Sequence, residues 1–220
     1  PRMPPPMRDV IFLVADGSMQ QLLHGFLGRP EFHRSVGCQR FAFDPRDDVF
    51  VSPTKDPGVY RQGPELLRRY RRSHDRAVIM LDNDWQGTPG PEKIYNDLNQ
   101  RMRDTWAEFA VIVIEPELEA WVWQDNPRVA QALNCPANFR QILADSGHWP
   151  RDRAKPARPK EALEHLRNRY RDLRRDGYKV DRSPALFKRL AAGISVRGCV
   201  DPAFLKLRDT LRDWFPEEEL

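Results

Sequence analysis

The sequence predicts an α/β fold, with a mostly parallel sheet flanked by helices and a helical C-terminal region. Three hydrophobic runs, at residues 10–15, 77–82 and 110–114, are nearly continuous, as expected of strands that are covered on both faces. Between them lie segments with helical spacing and no hairpin signal, which indicates right-handed parallel crossovers. Each run also leads directly into acidic residues, so we expect carboxylates at the edge of the sheet where ligands bind.

The first run, at residues 10–15, is followed at once by Asp16, Gly17 and Ser18, and then by a helical pattern that stops near Gly28. This order is typical of a strand, a tight turn and a helix. Gly17 permits a close approach of the backbone, and Asp16 or Ser18 can cap the helix. Asp16 therefore has two interpretations, as a helix cap or as a site residue.

The second run ends in Asp82 and Asp84, which are separated by one residue, and the pattern breaks at Gly87. Side chains at i and i+2 of an extended segment point the same way, so both carboxylates can converge on one cation. Hard carboxylate oxygens suit Mg²⁺ or Mn²⁺. The alternative is a polar turn after a strand, which has the same composition.

The third run leads into a segment rich in glutamate and tryptophan. Its proline predicts the first turn of a helix, on which Glu117 and Trp121 share one face and Glu119 and Trp123 share another. The alternative roles are core packing for the tryptophans and interaction with the helix dipole for the glutamates.

The remaining elements follow from shorter patterns. We expect one or two short strands within residues 36–55 and, beyond residue 125, helices rather than a second series of strands. The domain prediction is an α/β core at 8–125 and a helical region at 126–220 packed on it. The expected helices lie at 64–73, 91–106, two short segments within 126–143, then 160–175, 184–192 and 204–214.

Composition indicates a soluble globular protein large enough to bury a core without disulfides. Of the 220 residues, 40% are hydrophobic and 31% charged, and 36 basic against 32 acidic side chains give a net charge of only +4, which is a weak argument for nucleic acid. Arginine is concentrated at 61–76, and basic residues again at 151–160. Such runs are either solvated helix faces or phosphate contacts.

Cysteine and hydrophobic patterns favour a cytoplasmic location. Cys38, Cys135 and Cys199 are far apart and lack CxxC spacing, which argues against a disulfide framework or a zinc site. The apolar run at 10–15 is too short for a signal peptide or a membrane span, so no membrane association is expected.

Several segments, taken in order, resemble the TOPRIM family. Residues 11–18 resemble the motif in which a strand ends in Val-Glu-Gly, and residues 79–84 resemble the motif in which a strand ends in Asp-x-Asp. Residues 116–125 are similar to a TOPRIM-like family found beside ABC-type ATPases in prokaryotic defence loci, whose members carry a Glu-Ala-Trp helix after the third strand. The C-terminal motifs of that family have counterparts here in the same order: Pro159-Lys160, Tyr178-Lys179, residues 186–194 and Phe204-Leu-Lys-Leu207.

The resemblance implies a Mg²⁺-dependent, nuclease-like antiphage defence protein that acts on DNA or RNA. Asp82 and Asp84 would bind metal, and Asp16 would stand at the general acid/base position, where the family has a glutamate that is one methylene longer. Glu119 would support the metal, while Lys160 and Lys179 would contact phosphate. The alternative is a catalytically inactive TOPRIM-like subunit that binds a partner protein, such as the ATPase.

Overall fold

A computed structural model describes residues 6–124 and 126–218; Asp125, which ends the Glu-Ala-Trp motif, lies outside them. Among the described residues, the strands form one four-stranded, all-parallel sheet in the order β2-β1-β3-β4, which confirms the α/β prediction. The strands are β1 (Arg8–Val14), β2 (Val49–Val51), β3 (His74–Asp82) and β4 (Glu108–Ile114).

Helices cover the sheet and form the C-terminal region. Within the described ranges, no helix is both long and apolar enough to cross a membrane. Single 3₁₀ turns occur at Arg69–Arg72 and Leu118–Trp121. The α-helices are α1 (Gly17–Leu27), α2 (Phe32–Val36), α3 (Lys55–Arg68), α4 (Pro91–Arg103), α5 (Arg128–Leu133), α6 (Phe139–Asp145), α7 (Pro159–Arg169), α8 (Leu173–Asp176), α9 (Ala185–Gly193) and α10 (Pro202–Trp214).

The register of the sheet brings the ends of its strands to one edge. Val14 of β1 lies opposite Met80 of β3 and Val51 of β2, and Asp82 lies opposite Ile114 of β4. The two central strands are fully buried over residues 11–14 and 77–81, because helices cover both faces. Whatever follows these strands is therefore held at the carboxyl edge on a rigid base.

Helix α3 differs from the prediction of a helix over 64–73. It begins at Lys55, so Pro64 lies in its interior instead of near its start. A proline at this position cannot donate to the carbonyl of Tyr60. The side chain of Arg101, from α4, replaces that donor, because its Nη1 donates to the Tyr60 oxygen at 2.7 Å.

The region 36–55 forms one strand of three residues, at the lower limit of the prediction. Phe41 and Phe43 lie outside it and pack as core side chains, Phe41 stacked on Phe215 and Phe43 edge-on to Phe12. The chain before β2 instead turns around the buried carboxylate of Asp48. The backbone therefore turns before Val49, where a longer strand would need it to be extended.

The C-terminal helices pack on the α/β core. Helix α9 packs against α1, and α10 packs on β4, while α7 contacts the 3₁₀ turn at Leu118–Trp121. The helix predicted over 160–175 ends at Arg169, with the short α8 following, and the one predicted over 91–106 ends at Arg103. The helices predicted within 126–143, at 184–192 and at 204–214 are present as α5, α6, α9 and α10.

Candidate functional site

Asp82 is the central residue of a group of carboxylates at the carboxyl edge. It is the last residue of β3, and its backbone N–H donates to the Asp56 carboxylate at 2.8 Å. Its own Oδ1 is buried and has no hydrogen-bond partner among the described residues. Burial is the main cause that raises the pKa of Asp82 well above its usual range, and the charges of Asp56, Glu119, Asp16 and Glu117 add to it.

Asp16 is a helix cap, which is one of its two interpretations, and it remains a candidate site residue, which is the other. It caps α1 in an extended conformation, and its Oδ1 accepts hydrogen bonds from the N–H groups of Ser18 at 2.9 Å and Met19 at 3.0 Å. Because β1 and β3 are neighbours, Asp16 lies beside the end of β3, and its charge raises the pKa of Asp82. The cap therefore holds a negative charge next to Asp82.

Asp56 was not predicted from the sequence. It lies in the first turn of α3, which is the element that follows β2. Burial is the main cause that raises the pKa of Asp56. The preceding Lys55 has a positive φ of 54°, which turns the chain into the helix. The sequence does contain a signal for Asp56, because an aspartate follows the short apolar run at 49–51. The other hydrophobic runs are likewise followed by acidic residues.

The segment after β4 does not form the predicted helix. Glu117 is extended, with φ −161° and ψ 167°, and only one 3₁₀ turn follows, so the proposed pairing of Glu117 with Trp121 on a helix face is wrong. Glu117 is only 7% exposed, and its Oε1 accepts from the backbone N–H of Lys160 at 2.9 Å. Burial raises the pKa of Glu117, which the sequence did not single out as a site residue.

Glu119 lies in the 3₁₀ turn and belongs electrostatically to the same group. Burial, followed by the charge of Glu117, raises its pKa to about 7. The charge of Asp16 acts in the same direction, and Lys160 opposes it. A carboxyl group of this kind exchanges its proton near neutral pH.

Asp84 is placed differently from Asp82. Strand β3 ends at Asp82, so the rule that i and i+2 side chains point the same way does not extend to Asp84, whose side chain is exposed. Its backbone N–H donates to the carbonyl of Pro116 at 2.9 Å, which ties the loop after β3 to the loop after β4. Its charge contributes to the raised pKa of Glu117.

The two predicted phosphate-binding lysines have different surroundings. Lys160 lies in the first turn of α7 with an exposed side chain, and its charge lowers the pKa of Asp56, Glu117 and Glu119. Lys179 is exposed between α8 and α9, and its carbonyl accepts from Asn134 at 3.1 Å. Lys160 is among the charges that shift the pKa values of Asp56, Glu117 and Glu119, whereas Lys179 is not.

Both tryptophans of the Glu-Ala-Trp segment are buried, as their core-packing alternative requires. Trp123 packs against Phe139 and Trp149, and its Nε1 donates to the carbonyl of Pro159 at 3.1 Å. That hydrogen bond holds the start of α7 beside the loop after β4. The aromatic packing thereby positions Lys160 near the glutamates.

The donor chemistry of this group, which we call the carboxylate cluster (Asp16, Asp56, Asp82, Glu117 and Glu119), suits a hard divalent cation. The buried Oδ1 of Asp82 lacks a partner that a cation would supply. In the described ranges, however, no three His, Cys, Asp or Glu side chains are already arranged around a common metal position. Binding therefore requires side-chain rotation. Comparison with protein-family models, curated proteins and solved structures gives no match to this chain.

Proposed function

We propose that this protein is a Mg²⁺- or Mn²⁺-dependent nuclease-like enzyme that cleaves phosphodiester bonds of DNA or RNA in a prokaryotic, cytoplasmic antiphage defence system. One observation carries the proposal: Asp82, which has a buried oxygen without a hydrogen-bond partner, lies among four further carboxylates at the ligand-binding edge of a parallel sheet. Such an arrangement repels itself without a cation, so its presence favours metal binding.

Each residue has a separate role in this proposal. Asp82 and Asp84 hold the metal, Asp16 completes the acidic cluster, and Glu119 supplies a further ligand or exchanges a proton. When bound, the cation polarises a phosphoryl oxygen and offsets charge that develops on it. Lys160 stands at the N-terminus of α7, where its charge and the helix dipole both attract phosphate. Lys179 is the second proposed phosphate contact.

A second candidate is a catalytically inactive TOPRIM-like subunit that binds a partner, such as an ABC-type ATPase, in a defence complex. The specific observation in its favour is the helix cap of Asp16, because Oδ1 already accepts two hydrogen bonds. A short side chain that caps a helix is less free to move a proton than the glutamate of the resembling family. Both candidates share the metal site.

Metal-dependent melting tests that shared premise. Adding Mg²⁺ or Mn²⁺ to the metal-free protein should raise the melting temperature by an amount that grows with metal concentration. Asp82→Asn should remove this response and leave metal-free stability equal or higher, because it relieves repulsion. The matched control is Asp213→Asn on the exposed face of α10, which should keep the response. If wild type shows no shift, neither candidate function holds.

Cleavage assays separate the two candidates. Single- and double-stranded DNA and RNA are incubated with metal, with and without a partner ATPase. A nuclease loses cleavage in Asp82→Asn and gains it in Asp16→Glu, which restores the reach of the family glutamate. A metal-induced rise in melting temperature without cleavage by either wild type or Asp16→Glu would favour the binding subunit.

A further inference from the structure

A second charged feature lies far from the carboxylate cluster. Helix α3 starts at the carboxyl edge and returns to the opposite edge, where it ends in the 3₁₀ turn Arg69–Arg72. There an open recess of about 790 Å³ is lined by four arginines and one glutamate. We call it the arginine recess, and its lining residues are Arg68, Arg69, Arg71, Arg72 and Glu65.

The positive charge of the arginine recess is not neutralised within the described part of the chain. None of its four guanidinium groups has a described carboxylate within ion-pairing distance, and Glu65 pairs instead with Arg101 at 2.8 Å. Some exposed arginines elsewhere form ion pairs, as Arg151 does with Asp145, whereas in the recess four unpaired guanidinium groups lie on adjacent turns of the chain. Four adjacent unpaired charges repel one another, and an anionic ligand would relieve that repulsion.

Aromatic rings hold part of this surface in place. The guanidinium carbon of Arg69 lies 4.3 Å from the centre of the Phe50 ring and 4.9 Å from that of Tyr70. Tyr70 in turn packs edge-on against His74, the first residue of β3. Stacked arginine among aromatic side chains loses little additional freedom when it binds phosphate, and it is typical of nucleic-acid interfaces.

We infer that the arginine recess binds the phosphate backbone of a nucleic acid, as a contact separate from the carboxylate cluster. The recess is concave, and the large exposed hydrophobic side chains of the described chain all lie outside 61–72, so the apolar anchor typical of a membrane-binding surface is missing there. This inference goes beyond the proposed function and holds whether or not the cluster binds metal.

The spacing of the two surfaces sets a length for the ligand. Strand β3 has 9 residues and runs from beside the recess to the cluster, which corresponds to roughly 25 Å at the rise of a strand. A duplex needs about 7–8 base pairs to cover that distance. When the cluster holds a metal ion, as the proposed function requires, binding in Mg²⁺ should therefore strengthen as the duplex lengthens past this size.

The test is fluorescence anisotropy of the full chain in EDTA, with labelled duplex DNA and single-stranded RNA, each about 20 nucleotides long, over a salt titration. Arg71→Ala with Arg72→Ala should weaken binding to all sequences alike and lower the magnitude of the log–log salt slope by about 2. The control, Arg171→Ala with Arg197→Ala, makes the same change of net charge at exposed loop positions outside the recess.

The outcomes are distinguishable from those of the metal experiments. The anisotropy measurements are made in EDTA, so their result does not depend on metal binding by the cluster. Equal affinity of the two double variants would overturn the inference, as would the absence of any binding. Binding to vesicles with anionic lipid but not to either nucleic acid would overturn it too, and would assign the recess to a membrane surface.

Discussion

Asp82 and Asp56 show how one aspartate can position another while raising its pKa. The Asp56 carboxylate accepts the backbone N–H of Asp82, and its negative charge simultaneously disfavours ionisation of the Asp82 side chain. Burial dominates both shifts, since water that would solvate the charges is excluded. The metal-free cluster therefore retains protons at a pH where exposed carboxylates have lost them.

Glu119 makes the pH dependence of stability measurable. Its pKa rises from 4.5 to about 7, so between these values the folded protein holds a proton that the unfolded chain has released. The free energy of unfolding should then fall as pH rises through this window, by on the order of 3 kcal/mol at most. Denaturant titrations in EDTA from pH 4.5 to about 8 measure it.

The variant Glu119→Gln should remove much of that slope, leaving the contributions of Asp82, Glu117 and Asp56. Glu92→Gln, on the exposed side of α4, is the control and should leave the slope unchanged. An unaltered pH dependence in Glu119→Gln would show that Glu119 ionises as it does in the unfolded chain.

Among the individual residues, the sequence predicted as site residues those that come directly after a long hydrophobic run. Asp16 and Asp82 lie at the same edge because β1, which precedes Asp16, and β3, which ends at Asp82, are parallel neighbours. Asp56 and Glu117 were missed for a physical reason. The first depends on a three-residue strand, and the second on burial against the start of α7, neither of which a local pattern contains.

Among the elements, α3 departs most from local rules. Proline near a helix start is the usual pattern, yet Pro64 lies in the interior, where Gly63 brings α3 close to Ile79 and Leu13 of the sheet. The packing and the donor from Arg101 outweigh the lost backbone hydrogen bond. The long buried strands were predictable from their continuous hydrophobic runs, whereas this helix depends on a side chain from α4.

A double-mutant cycle tests this compensation. Arg101→Met removes the guanidinium but keeps the apolar stem, and it should destabilise the protein by about 1–2 kcal/mol because the carbonyls of Tyr60 and Arg61 and the carboxylate of Glu65 lose a donor. In the Pro64→Ala background, the restored N–H of residue 64 can donate to the Tyr60 carbonyl. The loss of unfolding free energy caused by Arg101→Met should then be smaller by about 1 kcal/mol. Denaturant unfolding measures both. Arg103→Met is the control, and an equal loss in the two backgrounds would reject the mechanism.

For the whole molecule, the net charge of +4 conceals two opposed surfaces. Carboxylates gather at one edge of the sheet, and unpaired arginines gather at the other. The net charge therefore underestimates the local electrostatic fields, which attract cations at the carboxyl edge of the sheet and phosphates at the opposite edge. Only the alternation of strands and returning helices separates these groups, so the arrangement follows from topology and is absent from composition.

The contact between α1 and α9 joins the C-terminal helices to the α/β core. At Gly25 the two backbones approach so closely that an added Cβ would lie 2.2 Å from the carbonyl oxygen of Lys188. Neither helix can move away without exposing its buried face. We therefore expect core and C-terminal region to unfold in one transition, with coincident changes in circular dichroism and tryptophan fluorescence.

Gly25→Ala should separate these helices and destabilise the protein by about 1–3 kcal/mol, since the added methyl meets backbone that cannot rotate aside. The matched control is Gly193→Ala in α9, where an added Cβ meets no atom within 4 Å, and it should be neutral or slightly stabilising. Urea unfolding followed by both signals measures the changes. If Gly25→Ala matches Gly193→Ala in stability, or if the signals of the wild-type protein separate into two transitions, the contact between α1 and α9 does not couple the two regions.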